Sequence, residues 1–236
     1  MIYCVHTCVE ELLAAADAGR LRPDDVLTFD DGHVNVHTHR EALSRLPQRK
    51  VAFIVPRYVD SGLPRSTATS EQVYYQTDRV VNHRSQFMTL DEVRALPRWG
   101  IELGMHSYAH AVVHDAGWTP ADRLWRLWSL TDDDARLRLL AARFGAFSAL
   151  ARPGMVMIDG HVRRRTQAEL AAYVEVDTQA CAAWFTDRLG FVPSVYAHPF
   201  NEAGPELDAA LRRLGVTEVF GHGRLDWDDL VHGRTD

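Results

Sequence analysis

Cysteine is scarce in this sequence, whose 236 residues include only Cys4, Cys8 and Cys181. Three cysteines cannot build the disulfide framework that stabilises small secreted domains. Cys4 and Cys8 lie on either side of His6, which raises the alternative of a metal site near the N-terminus. Because no further cysteine pair completes a tetrahedral set of ligands, we do not favour a structural zinc site there.

The first residues also lack a basic segment and a long apolar run. The sequence therefore predicts neither a signal peptide nor a membrane anchor, and we expect a cytoplasmic protein. The formal net charge of −6 does not suggest a basic surface that would bind nucleic acid or an anionic membrane.

The composition is ordinary for a globular protein, with 46% hydrophobic and 25% charged residues. The length suits one α/β domain of barrel size, so we predict a single domain over 1–236. Strands are predicted at 26–29, 51–55, 101–105, 192–197 and 216–220, and helices at 8–18, 89–97, 119–144, 166–189 and 202–214. The helical run 119–144 is interrupted at 131–134, where a second helix starts. Residues 145–165 are predicted to form a loop or a short strand. This alternation indicates a parallel sheet covered by helices, and we expect a distorted, incomplete (β/α) barrel of about seven strands.

Two adjacent carboxylates end the first predicted strand. The apolar run 26–29 is followed by Asp30, Asp31 and Gly32, and aspartate disfavours strand while glycine allows the chain to turn. Consecutive side chains of an extended segment point to opposite sides, so the two aspartates cannot do the same job. One could hold a metal ion while the other faces a reacting water; a solvated turn is the alternative.

Two histidines four residues apart follow another predicted strand, 101–105. If a helical turn begins near Ser107, His106 and His110 project from one side of it. Two histidines and one aspartate would supply three ligands and leave a position open for water, as a catalytic site requires. Zinc is the first choice for one divalent ion held by such ligands, although cobalt, nickel or iron would also suit them.

These two segments, 28–32 and 106–110, resemble the first two motifs of the polysaccharide deacetylases, the NodB-homology fold of carbohydrate esterase family 4. Residues 196–200 resemble a variant of the third family motif, Arg-x-Pro-Tyr. The motifs follow the family's order, and the resemblance covers roughly residues 9 to 225. It implies the same incomplete barrel, with the candidate residues at the carboxyl ends of the strands.

The resemblance also implies an activity and a role for each residue. Asp31, His106 and His110 would hold the divalent metal, and Asp30 would be the general base. The backbone N–H of Phe200 would help to stabilise the oxyanion. The implied reaction is hydrolysis of the N-acetyl amide of an amino sugar, or of a sugar-containing intermediate, by a metal-bound water.

The sequence departs from the family pattern in two places. Ala197 stands where the third motif has an arginine that orients the catalytic aspartate, and another residue such as Arg152 could take over that task. The family also has a late histidine that protonates the leaving amine. His222 is our first choice for this general acid, with His198 and His232 as alternatives.

Residues expected to contact a substrate are Tyr75, Tyr108, His198 and Pro199. Tyr75 belongs to a long polar stretch, 57–86, whose aromatic residues could stack on a sugar ring or simply pack the loop. The expected partner is a small molecule or an oligosaccharide carrying an N-acetyl group; the sequence does not predict an oligomeric state.

Three further histidines, His33, His37 and His39, follow the first motif. They could form a second metal cluster, but we favour a loop and a helix start beside the active site, where Asn35 could cap the helix.

Two other functions remain open at this stage. An enzyme of the same fold could act on a small non-sugar amide, ureide or cyclic imide. A catalytically impaired protein that binds carbohydrate is the second alternative, and the missing third-motif arginine favours it.

Overall fold

Seven strands of the described residues form one parallel sheet. The computed structural model describes residues 1–6, 8–60, 87–114, 146–158, 161–221 and 223–227. The strands of this sheet are β1 (Ile2–Val5), β2 (Val26–Phe29), β3 (Arg49–Ile54), β4 (Glu102–Met105), β9 (Val195–Ala197), β10 (Glu218–Phe220) and β11 (Leu225–Asp226). Their order across the sheet is β10-β9-β4-β3-β2-β1-β11. The predicted fold class, a distorted and incomplete (β/α) barrel, is confirmed.

Helices connect most of these strands, as a parallel sheet requires. They are α1 (Val9–Asp17), α2 (Val34–Thr38), α3 (Arg40–Ser44), α4 (Leu90–Ala95), α5 (Gln167–Leu189) and α6 (Pro205–Arg213). The predicted helix 119–144, together with Tyr75, His222 and His232, lies outside the described residues. None of the helices in the described part of the chain combines the length and apolar character needed to cross a bilayer.

The best predicted helix, α5, has clear sequence signals at both ends. Thr166 accepts a hydrogen bond from the backbone N–H of Glu169, whose side chain in turn accepts one from the N–H of Thr166, and this capping box fixes the first turn. Gly190 ends the helix with a φ of 82°. Leu170, Val174 and Phe185 are buried against the main core.

The sequence prediction missed both ends of the chain and a second sheet. Neither β1 nor β11 was predicted, although β11 pairs with β1 at the edge of the main sheet. Residues 145–165 are not a loop or a single short strand. They contain β6 (Ala146–Ser148), β7 (Met155–Ile158) and β8 (His161–Arg164), which join β5 (Val112–His114) in a four-stranded antiparallel sheet. Strands of three or four residues give too little periodicity for sequence analysis to detect.

Both faces of the main sheet are buried, which is typical of parallel sheets. Along β3, Ala52 and Ile54 pack in the larger core cluster, whereas Val51 and Phe53 pack in a smaller one with Val195, Ala197 and Phe220. The ring of Phe53 leaves room only for glycine at position 104, because a Cβ there would lie 2.4 Å from the ring. The ring centroid of Phe53 lies 6.4 Å from that of His106, below the carboxyl ends of the strands.

Candidate active site

The two aspartates that end β2 have different partners. Asp30 is buried and pairs with an arginine, whereas Asp31 faces two histidines. Asp31 has a φ of 67° and Gly32 a φ of 77°, so the chain leaves the strand at once and turns the two carboxylates apart. The prediction that they do different jobs is consistent with this geometry.

Asp31, His106 and His110 converge on one point. Oδ1 of Asp31 lies 3.5 Å from Nε2 of His106 and 3.5 Å from Nε2 of His110, and these donor atoms all lie within 4.8 Å of one another. This oxygen is buried, and no hydrogen-bond donor reaches it among the described residues. Ligands about 2.1 Å from a tetrahedral zinc ion lie about 3.4 Å apart, so the three side chains fit a divalent ion.

His106 is fixed in the orientation that a metal ligand needs. Its Nδ1 lies 2.8 Å from the backbone carbonyl of Ala197. A carbonyl oxygen can only accept, so Nδ1 carries the proton and Nε2 presents its lone pair to Asp31 and His110. Burial lowers the pKa of His106 to about 4, so the imidazole is neutral at physiological pH.

A tight turn, not the predicted helical turn, brings His106 and His110 together. Ser107 and His110 have φ values of 68° and 47°, which no helix contains. The Oγ of Ser107 accepts a hydrogen bond from the backbone N–H of His110 at 3.0 Å and donates to Oδ2 of Asp177 at 3.1 Å. The other oxygen of Asp177 accepts from the N–H of Tyr108. Asp177, on α5, therefore holds the turn that positions His110.

Asp30 forms a bidentate ion pair with Arg224, whose role was not predicted. The two guanidinium–carboxylate distances are 2.9 and 2.8 Å, and both side chains are 2% exposed. Arg224 also donates to Thr28 and Asn201. Burial acts to raise the pKa of Asp30, but the adjacent Arg224 guanidinium opposes this effect, and that pKa lies well below its usual range. Asp30 is therefore an oriented carboxylate.

Arg152, suggested from the sequence as the substitute for the missing arginine, pairs with Glu202 instead of Asp30. Its Nη2 lies 2.6 Å from Oε1 of Glu202, and its guanidinium lies over the ring of Phe147 at 3.9 Å. Arg224 holds the aspartate instead. Arg224 comes four residues after the end of β10, a position that could have marked it as a candidate site residue. Nothing in the sequence, however, indicates that it lies close to Asp30.

A histidine near the N-terminus also belongs to this region. His6 follows β1, is partly exposed, and has its ligand atoms within 4.8 Å of those of Cys4 and Asp30. The thiol of Cys4 donates to Oδ2 of Asp30 at 3.3 Å. Cys8, which the sequence paired with Cys4 and His6, is not part of this group. The position of His6 beside Asp30 was not predicted, because β1 is only four residues long and its end was not recognised.

The third-motif segment lies beside the candidate metal ligands. The ring of Phe200 is 4.8 Å from that of His110 and the residue is 41% exposed, while Pro199 is buried. His198 is directed at α6, where its Nε2 lies 3.4 Å from Oδ1 of Asp208. Tyr108 is 36% exposed and adjoins the ligand turn. His222 and Tyr75 remain predictions, since both lie outside the described residues.

Strained backbone concentrates in this region. Five non-glycine residues here have positive φ: Asp31, Ser107, His110, Phe200 and Asn201. Such conformations are uncommon and persist where the surrounding structure holds them, which is typical of functional sites.

Comparison with known proteins agrees with the fold. No family model matches the sequence, and no curated protein matches it. Among solved structures, a de-N-acetylase from Aggregatibacter actinomycetemcomitans superposes with a TM-score of 0.57 at 17% identity, covering 93% of this chain and 71% of the other. The BpsB deacetylase domain from Bordetella bronchiseptica gives 0.59 at 17%, covering 93% and 72%. IcaB from Ammonifex degensii gives 0.51 at 14%, covering 99% and 95%.

Proposed function

We propose that this chain, which has the fold of the polysaccharide deacetylases, is a metal-dependent deacetylase that hydrolyses the N-acetyl amide of an amino sugar. The observation that carries the proposal is the convergence of Asp31, His106 and His110 beside an oriented buried carboxylate, Asp30. Two of the structurally similar proteins are described as deacetylases or de-N-acetylases. A cytoplasmic location and a zinc ion stay predictions.

Each residue of the candidate active site has a task in this proposal. The three ligands would hold a divalent ion, which when bound supplies Lewis acidity toward water and a carbonyl group. Asp30 accepts the proton of the attacking water, and Arg224 keeps its carboxylate in place. The backbone N–H of Phe200 is proposed to stabilise the developing oxyanion, and the ring contact with His110 places this residue beside the candidate ligands.

Arg224 also bears on the alternative of an impaired binding protein. That alternative depended on the absence of the third-motif arginine, since an unoriented aspartate would be a poor base. A bidentate partner for Asp30 removes this objection. The other alternative, an enzyme acting on a different amide, differs only in substrate, so a panel that includes cyclic imides and ureides distinguishes it.

Metal analysis together with an acetate-release assay tests the proposal. The wild-type protein should contain about one divalent ion per chain and release acetate from N-acetylated glucosamine oligomers. His106→Ala should lose both, because it removes one of three ligands. His39→Ala is a matched control, since His39 pairs with Glu10 away from the site. A wild-type protein that binds no metal after reconstitution would refute the proposal; metal without acetate release would redirect it to other amides.

We further propose that His6 protonates the leaving amine, a role the sequence assigned to His222. Among the described residues, His6 has an imidazole beside Asp30 and is not one of the proposed metal ligands. His6→Gln should lower kcat on an N-acetyl amide by about 10²-fold with metal retained. The loss should be much smaller on an aryl acetate, whose phenolate leaves without protonation.

Two results would count against His6. An equal loss on amide and ester would mean that it does not serve the leaving group. A normal rate on the amide, with a selective loss in His222→Gln, would return the role to His222. Cys4→Ser serves as control, because serine still donates a hydrogen bond to Asp30.

A further inference from the structure

The two oxygens of Asp31 face different neighbours. Oδ1 points at the two ligand histidines, each 3.5 Å away, while Oδ2 lies 3.9 Å from Nε2 of His33. His33 is 3% exposed and follows the aspartate by two residues. A carboxylate that ligates a metal through one oxygen commonly has its other oxygen oriented by a hydrogen-bond donor.

The position of His33 is held by aromatic packing. Its ring stacks on Phe87 at 4.7 Å with an interplanar angle of 24°, and the two residues form an antiparallel backbone bridge. Phe87 also contacts the ring of Tyr58, which lies 6.5 Å from the ring of His110. The imidazole is therefore placed by the same group of rings that borders the metal ligands.

Packing alone does not account for an imidazole at this position. A phenylalanine would stack on Phe87 equally well, and burying it would not require a polar nitrogen to leave water. His33 precedes α2, but its side chain makes no capping hydrogen bond to that helix. The imidazole places its Nε2 3.9 Å from Oδ2 of Asp31, whereas a phenylalanine would place no nitrogen beside this carboxylate.

We propose that His33 is a positioning residue for the metal centre, whose Nε2 holds Oδ2 of Asp31 so that Oδ1 alone faces the ion. A closing movement of about 1 Å brings the two atoms within hydrogen-bond distance. Restricting Asp31 to one oxygen preserves the open coordination position that a hydrolase needs. The inference rests on the proposed metal site and assigns that site an outer partner.

Metal affinity measured without any enzymatic assay tests this role. Protein stripped with a chelator is titrated with Zn²⁺ against a chromophoric competitor, and the visible spectrum of the Co²⁺-loaded protein is recorded. His33→Phe keeps the stacking ring and His33→Asn introduces a residue that is favourable at a helix N-cap, but neither places a donor near Oδ2. Both should bind Zn²⁺ about 10- to 100-fold more weakly and change the Co²⁺ spectrum. His33→Gln, whose amide can reach Oδ2, should keep most of the affinity.

The controls separate positioning from packing. His37→Phe alters a histidine of α2 that pairs with Glu92, and it should leave affinity unchanged. Wild-type affinity in His33→Phe would overturn the role of the nitrogen while leaving the metal site intact. This holds even if His33→Asn alone loses affinity. A wild-type protein that binds no metal would instead refute the proposed function, and the inference with it.

Discussion

Asp30→Asn should lower kcat by about 10²–10⁴-fold while the bound metal remains. The asparagine keeps the shape of the side chain but cannot accept a proton from water. The metal should stay because none of the three proposed ligands is altered. Acetate release and elemental analysis on the same preparation check both halves of this expectation.

The neighbouring residue provides the matched control. Asp31→Ala should lose metal and turnover together, because it removes the ligand oxygen that faces His106 and His110. Asp30→Asn should thus keep its metal and Asp31→Ala should lose it, and both variants should have low activity. Wild-type turnover in Asp30→Asn, or loss of its metal, would show that the roles of base and ligand have been assigned wrongly.

Arg224→Ala should reduce kcat/KM by about 10²-fold or more and lower the free energy of unfolding by about 3–5 kcal/mol. Removing the guanidinium leaves a buried carboxylate without its bidentate partner. Arg224 lowers the pKa of Asp30, so its loss raises that pKa and protonates the base at a higher pH than in the wild type. The acidic limb of the kcat/KM profile should therefore move to higher pH. Denaturant titration and a pH–rate profile measure the two effects.

Two further variants make the role of Arg224 specific. Arg224→Lys keeps the charge but cannot engage both carboxylate oxygens, so its activity should lie between those of wild type and alanine. Arg152→Ala removes a partly exposed arginine that pairs with Glu202, and it should change stability by less than about 1 kcal/mol with activity unchanged. A severe loss of activity in Arg152→Ala, with Arg224→Ala normal, would restore the assignment suggested by the sequence.

Local sequence signals account for the parts of this protein that could be predicted. A short apolar strand that ends in two aspartates and a glycine, and a histidine pair after a second strand, are each contained within a few residues. The same holds for α5, whose capping box and terminal glycine set its limits. Where the determining residues lie close together in the chain, composition and spacing are sufficient.

The ligand turn shows where local reasoning was incomplete. Spacing alone suggested a helical turn for His106 and His110, since such pairs share a helix face. In the structure, Ser107 and His110 instead have positive φ values. Asp177 of α5 holds Ser107 through a hydrogen bond. The two histidines converge in either case, but the anchor lies 70 residues away in the chain.

Asp31, His106 and His110 were predicted as metal ligands from local motifs, and the structure brings their side chains together at the ends of two strands. The surroundings of Asp30 depend instead on tertiary structure. Arg224 lies 194 residues from Asp30, and His6 follows a four-residue strand. Both approach the aspartate because β1 pairs with β2 on one side and with the two-residue strand β11 on the other. Strand pairing is a long-range feature, stabilised by burial of the whole sheet, so the residues near Asp30 in the sequence do not reveal its partners.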